Sequence, residues 1–94
     1  MKMAQEEIDK LINEGKQFPL VLKGYDLTGT NLAGANLIYA DLSESELTGV
    51  NLVGANLTGA KLVGAELSEV KLTGANLVQA VLTSAVLVLS LIHI

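Results

Sequence analysis

From position 22 onward, leucine recurs at every fifth residue: 22, 27, 32, 37, 42, 47, 52, 57, 62, 67, 72, 77, 82 and 87. From Leu32 onward, the residue two before each leucine is small or β-branched, as in Thr30, Ala35, Ala40, Ser45, Val50, Ala55, Ala60, Ala65, Val70, Ala75, Ala80 and Ala85. Between the two stands a mostly polar residue, as in Asn31, Asn36, Asp41, Asn51, Asn56, Lys61, Lys71 and Asn76. A helix cannot use this pattern: at ~100° per residue, a step of five turns each leucine by ~140° and smears the apolar face around the barrel. A continuous strand fails too, because an odd step sends successive leucines to opposite faces.

The pattern becomes consistent if the chain turns a corner once per five residues, so that each leucine points to a shared axis from a new side. Fixed-period self-similarity of this kind is the mark of a solenoid. Period-two alternation sends the small residue inward beside its leucine and the polar residue between them outward. Glycine two after the leucine, at 29, 34, 49, 54, 59, 64 and 74, suits the corner. A second period is nested in the first, since GANL recurs at Gly34–Leu37, Gly54–Leu57 and Gly74–Leu77, 20 residues apart.

Ala35-Asn36-Leu37, Ala40-Asp41-Leu42, Ala55-Asn56-Leu57 and Ala75-Asn76-Leu77 resemble the A-(D/N)-L-x-x unit of the pentapeptide repeat family. The resemblance covers residues 22–88. It implies an all-β solenoid, a right-handed quadrilateral parallel β-helix of about three 20-residue coils, with four units per coil. The core is then Leu27, Leu32, Leu37, Leu42, Leu47, Leu52, Leu57, Leu62, Leu67, Leu72, Leu77 and Leu82. Stacking by 20 assigns outward columns about 4.8 Å apart per rung. Asn36, Asn56 and Asn76 are expected to form an amide ladder, and Asp26, Glu46 and Glu66 a column of like charges, a possible acidic interaction face.

Residues 1–21 depart from the register. Ile8, Leu11 and Ile12 within Ala4–Asn13, with Gly15 as a stop, predict a short amphipathic helix that packs on the first coil and covers its open end. Phe18, Pro19 and Leu20 read as a connector, and Tyr25 as the filler of a wider first coil. The tail Leu89–Ile94, LSLIHI, can be encoded by CTG TCT CTT ATA CAC ATC, the transposase mosaic-end adapter of sequencing libraries. It is read as adapter read-through, with the natural gene continuing beyond Val88. A truncated last coil exposes an unpaired edge, which predicts self-association through the C-terminal end.

Composition narrows the function. There is no cysteine, and the only histidine, His93, lies in the adapter-like tail, so no nucleophile–base pair, catalytic centre, metal site or cofactor is expected. Glu44 with Glu46, and Glu66 with Glu69, read as solvated surface carboxylates, and no glycine run has phosphate-loop spacing. With a net charge of −4 and no basic stripe, direct nucleic-acid binding is not expected. The N-terminus turns acidic before any apolar run, so a signal peptide is not indicated and a cytoplasmic location is expected. Residues 80–94 are too short and too polar for a membrane span. Tyr39 is an outward aromatic, a residue type that anchors interfaces. These features describe a non-enzymatic scaffold that binds an unidentified protein through its β-walls. The resemblance adds one alternative: some members mimic duplex DNA and occupy the DNA site of type II topoisomerases such as gyrase.

Overall fold

The computed structural model describes residues 1–14 and 19–86. The expected roles of Gly15, Phe18 and Leu87, together with the adapter-like tail and His93, lie outside the described residues.

Parallel bridges join residues 20 apart throughout: Val21 with Asp41, Asp26 with Glu46, Asn31 with Asn51, Asn36 with Asn56, and so on to Glu66 with Val86. Four five-residue units therefore make one coil, and coils stack in register. We name the four sides after Asp26, Asn31, Asn36 and Asp41. Each unit turns its corner by a hydrogen bond from the small residue to the preceding leucine carbonyl, such as Ala40 N–H to Leu37 at 3.0 Å and Ala60 N–H to Leu57 at 2.9 Å. The residue two after the leucine has positive φ, the conformation the third position of a type II turn requires. Glycine takes it at most corners, but Tyr39, Glu44, Glu69, Gln79 and Ser84 occupy the same region with φ of 57° to 61°.

Backbone hydrogen bonding in a unit is nearly closed. Around Leu52, Asn51 N–H reaches Thr30 in the coil before (3.1 Å), while Leu52 and Gly54 N–H reach Lys71 and Thr73 in the coil after (2.8 and 2.9 Å). Ala55 N–H closes the turn on Leu52 at 3.0 Å. One donor per unit is left over, the N–H after the leucine, and a side chain meets it: Asn51 Oδ1 accepts from Val53 N–H at 3.0 Å. The same bond forms from Asp26, Asn31, Asn36, Asp41, Asn56 and Asn76. This is an Asx turn, and it gives a physical reason for the polar residue before the leucine. The expected amide ladder on the Asn36 side is thereby corrected: Asn36, Asn56 and Asn76 stack, but each Oδ1 turns to its own corner.

Leu22 through Leu72 are buried, and the inward alanines and valines fill the space between them. Inward hydroxyls are satisfied locally, Thr30 Oγ1 donating to Leu27 C=O at 2.8 Å and Ser45 Oγ to Leu42 C=O at 2.5 Å. Leu77 and Leu82 pack against this core and are only partly buried at the end of the described stack.

The helix α1 runs Gln5–Glu14, one residue later than the pattern predicts. Ala4 C=O accepts from Glu7 and Ile8 N–H, and the Glu7 carboxylate reaches back to Ala4 N–H at 3.2 Å, half of a capping box. Ile8 is fully buried, and Leu11 and Ile12 pack on the core. Before the helix, Met1–Met3 pairs with the first coil through a parallel bridge between Lys2 and Asp26. Among the described residues no helix is long and apolar enough to cross a membrane.

Candidate interaction surface

Inward positions are consumed by packing, so the chemistry that can vary lies in the outward columns, and the columns sort charge by side. The Asp26 side stacks Asp26, Glu46 and Glu66, with Glu69 at a corner. Its second column is Thr28, Thr48 and Ser68, and the Ser68 hydroxyl donates to the Glu66 carboxylate. Lys2 stands at the head of the carboxylate column, Nζ 3.8 Å from Asp26 Oδ1. The Asp41 side mixes signs: Asp41 lies beneath Val21 and above Lys61, and Lys23 pairs with Glu44 at 3.7 Å. The Asn31 side carries only Lys71. Among the described residues the Asn36 side presents Asn36, Ile38, Tyr39, Asn56, Thr58, Gly59, Asn76, Val78 and Gln79 and no charge.

Two carboxyls titrate away from their ordinary value of 3.8. Asp26 is held low first by hydrogen bonds from Thr28, with the Lys2 ammonium adding to them. Asp41 is held low by the Ser43 hydrogen bonds and then by Lys61 and Lys23. In both, the carboxylate that caps the turn is stabilised in its charged form.

Tyr39 is about half exposed (54%). Its ring lies over Gly59 on the next coil, so that a Cβ there would stand 2.3 Å from Cε1. The ring is therefore splayed along its side rather than projecting freely. Between α1 and the first coil lies an open hollow of about 320 Å³ lined by Met3, Glu7, Lys10, Leu11, Glu14 and Tyr25. Tyr25 packs against the core only in part. Among the described residues, no three His, Cys, Asp or Glu side chains come together as a metal cluster. Glu44 and Glu46 lie on different sides, and Glu69 stands at the corner beyond Glu66.

Sequence reasoning placed the acidic column, the outward Tyr39 and the inward leucines. It missed the pairing of Met1–Met3 and the bond from Gln5 to Asn31. Met3 occupies a leucine slot, but 24 residues before Leu27 rather than a multiple of five, so no periodicity could reveal it.

The description Pentapeptide repeats matches eight copies, over residues 26–64 and 51–88. No curated protein matches the chain. Solved structures similar to it include three pentapeptide repeat proteins. The pentapeptide repeat protein Rfr23 from the cyanobacterium Cyanothece 51142 has a TM-score of 0.72 at 38% identity, over 73% of this chain and 47% of its own. A pentapeptide repeat protein of the Arabidopsis thaliana thylakoid lumen has a TM-score of 0.71 at 32% identity, over 77% and 50%. HetL, involved in heterocyst differentiation regulation in Nostoc sp. strain PCC 7120, has a TM-score of 0.51 at 36% identity, over 71% and 34%. The chain thus spans about half the length of the first two relatives and a third of HetL. These likenesses supply the right-handed β-helix that 20-residue bridging alone does not orient. On the repeat match and the shared fold together, the chain belongs to the pentapeptide repeat family.

Proposed function

We propose that this protein is a non-enzymatic scaffold that binds another protein through the outward columns of its β-helix, with the Asp26 side as the contact face. The observation that carries this reading is the sorting of charge: the ladder and core use the backbone and the leucines alike on every side, whereas the outward residues differ systematically from side to side. The acids on the Asp26 side favour a basic partner surface, with electrostatics contributing to encounter and register more than to raw affinity. HetL, a relative named for a regulatory role, is consistent with a family that acts through contacts. Mimicry of duplex DNA draws no support from this surface, since among the described residues the Asn36 side carries no charge.

The test is a matched set of three affinity captures from the native source. The double variant Glu46→Lys/Glu66→Lys is expected to lose a partner that the wild-type protein and the Asn36-side variant Asn56→Lys both retain. A partner set identical across all three proteins would sink the Asp26 side as the contact face.

A further inference from the structure

We propose that Met1–Gln5 is an edge guard: it stands in for a missing coil and keeps a second copy of this chain from pairing end to end with the first coil. Inside the solenoid, the edge of the second coil between Glu46 and Asn51 presents five peptide groups to the coil before it. Glu46 N–H, Glu46 C=O, Thr48 C=O, Asn51 N–H and Asn51 C=O are met by Tyr25 C=O, Leu27 N–H, Gly29 N–H, Thr30 C=O and Leu32 N–H, at 2.7 to 3.2 Å. The first coil presents the same five groups, and among the described residues it is Met1–Gln5, not a coil, that meets them. Asp26 N–H donates to Met1 C=O at 2.9 Å, and Asp26 C=O accepts from Met3 N–H at 2.9 Å. Thr28 C=O accepts from the Lys2 ammonium. Asn31 N–H donates to Gln5 Oε1 at 2.7 Å, and Asn31 C=O accepts from Gln5 Nε2 at 2.9 Å. The substitution is one for one.

The replacement differs from a coil in what it shows on its far side. A true coil re-exposes a fresh row of peptide groups, the template on which another strand adds. Here three of the five partners are side-chain atoms, so they satisfy the edge without extending it. Gln5 Nε2 also donates to Asp9 Oδ1 at 2.9 Å, so the amide is used within the cap. Met3, 4% exposed, closes the core in the place of a leucine.

The occupant kept out is a second copy, because the C-terminal side of the described coils, as far as Leu67, carries the complementary donors and acceptors in the same register, repeated every 20 residues. Such a head-to-tail contact is heterologous and does not close, so an unguarded edge leads to open-ended growth.

Sedimentation velocity of the full chain, wild type against Lys2→Ala/Gln5→Ala, tests this, with amide exchange at Asn31 and Asn51 measured on the same samples. Three lost hydrogen bonds, at about fivefold each, raise opening of the edge and hence the self-association constant by roughly a hundredfold. Asn31 exchange rises while Asn51 stays protected. Faster Asn31 exchange without added association overturns the proposal, as does unchanged exchange. Added association that disappears when Tyr39→Ser is introduced also overturns it, since the contact would then lie on a side and not at the end. Should the double variant fail to fold, Gln5→Ala alone, which alters one partly buried side chain, decides by the same readouts with an expected rise of about twentyfold.

Discussion

The units at the start of the solenoid and those at its described end follow the same path with different support. At Asp26, Asn31, Asn36 and Asp41 the side chain before the leucine accepts the leftover N–H at 2.9 to 3.2 Å, and Leu27, Leu32, Leu37 and Leu42 are sealed. At Val81 and Val86 no such acceptor exists, Leu77 and Leu82 are only partly buried, and the corners at Gln79 and Ser84 hold positive φ without glycine. Yet Ala80 and Ala85 close their turns at 3.0 Å, and Val81 and Val86 keep their bridges to Lys61 and Glu66. The difference teaches that inward leucine plus the inter-coil ladder sets the coil. The Asx acceptor and the corner glycine add stability to a path already chosen, as contributions that vary from unit to unit.

Four measurements break or sharpen this comparison. Leu47→Ala, at a fully buried site, is expected to cost about 2 to 5 kcal/mol in urea unfolding, whereas Leu82→Ala costs well under half of that. Equal losses would mean that the described end is packed as tightly as the middle. Gly59→Ala combines positive φ with the Tyr39 ring in its way, and should cost ~1 kcal/mol more than Gly54→Ala, which meets nothing within 4 Å. The excess should vanish in a Tyr39→Ser background. An excess that survives there would place its cause in the backbone alone. Restoring an absent acceptor by Lys71→Asn should stabilise by about 0.5 to 1 kcal/mol, and Asn51→Ala should lose a similar amount. If thermal midpoints do not move in opposite directions, the Asx bond is not a stabilising one.

The smallest effect concerns acid. Asp26 and Asp41 have folded values below the unfolded 3.8, so each contributes stability that is present above pH ~3.8 and is lost as pH falls through the depressed folded values. Asp26→Asn/Asp41→Asn keeps the acceptor oxygens, as Asn31 and Asn51 show, but removes the titration. Its midpoint is expected to fall less steeply below pH 4 than that of the wild type, and an unchanged slope would assign the acid sensitivity to other carboxylates.

Much of this architecture was legible because its repeat is short and each position has one task. The leucine step, the small inward residue, the corner glycine and the 20-residue recurrence of GANL each constrain the same coil. The Asp26, Glu46 and Glu66 column followed from arithmetic. What stayed illegible depends on atoms meeting across the register. The role of Asn as a turn acceptor rather than a ladder amide depends on χ angles, and both uses have the same spacing. The left-handed conformations of Tyr39 and Glu44 are imposed by the coils above and below, against local preference.

Sequence alone determined the coil, its core and the partition of charge among four sides, because a five-residue period admits few ways to bury every leucine. Tertiary structure alone decided how the first edge is closed. The helix interrupts the period, so only three dimensions bring Lys2 and Gln5, 26 residues away in sequence, onto the peptide groups of Thr28 and Asn31. Those unpaired peptide groups at the end of a ladder have to be met by something, and the chain meets them with side chains that cannot propagate it.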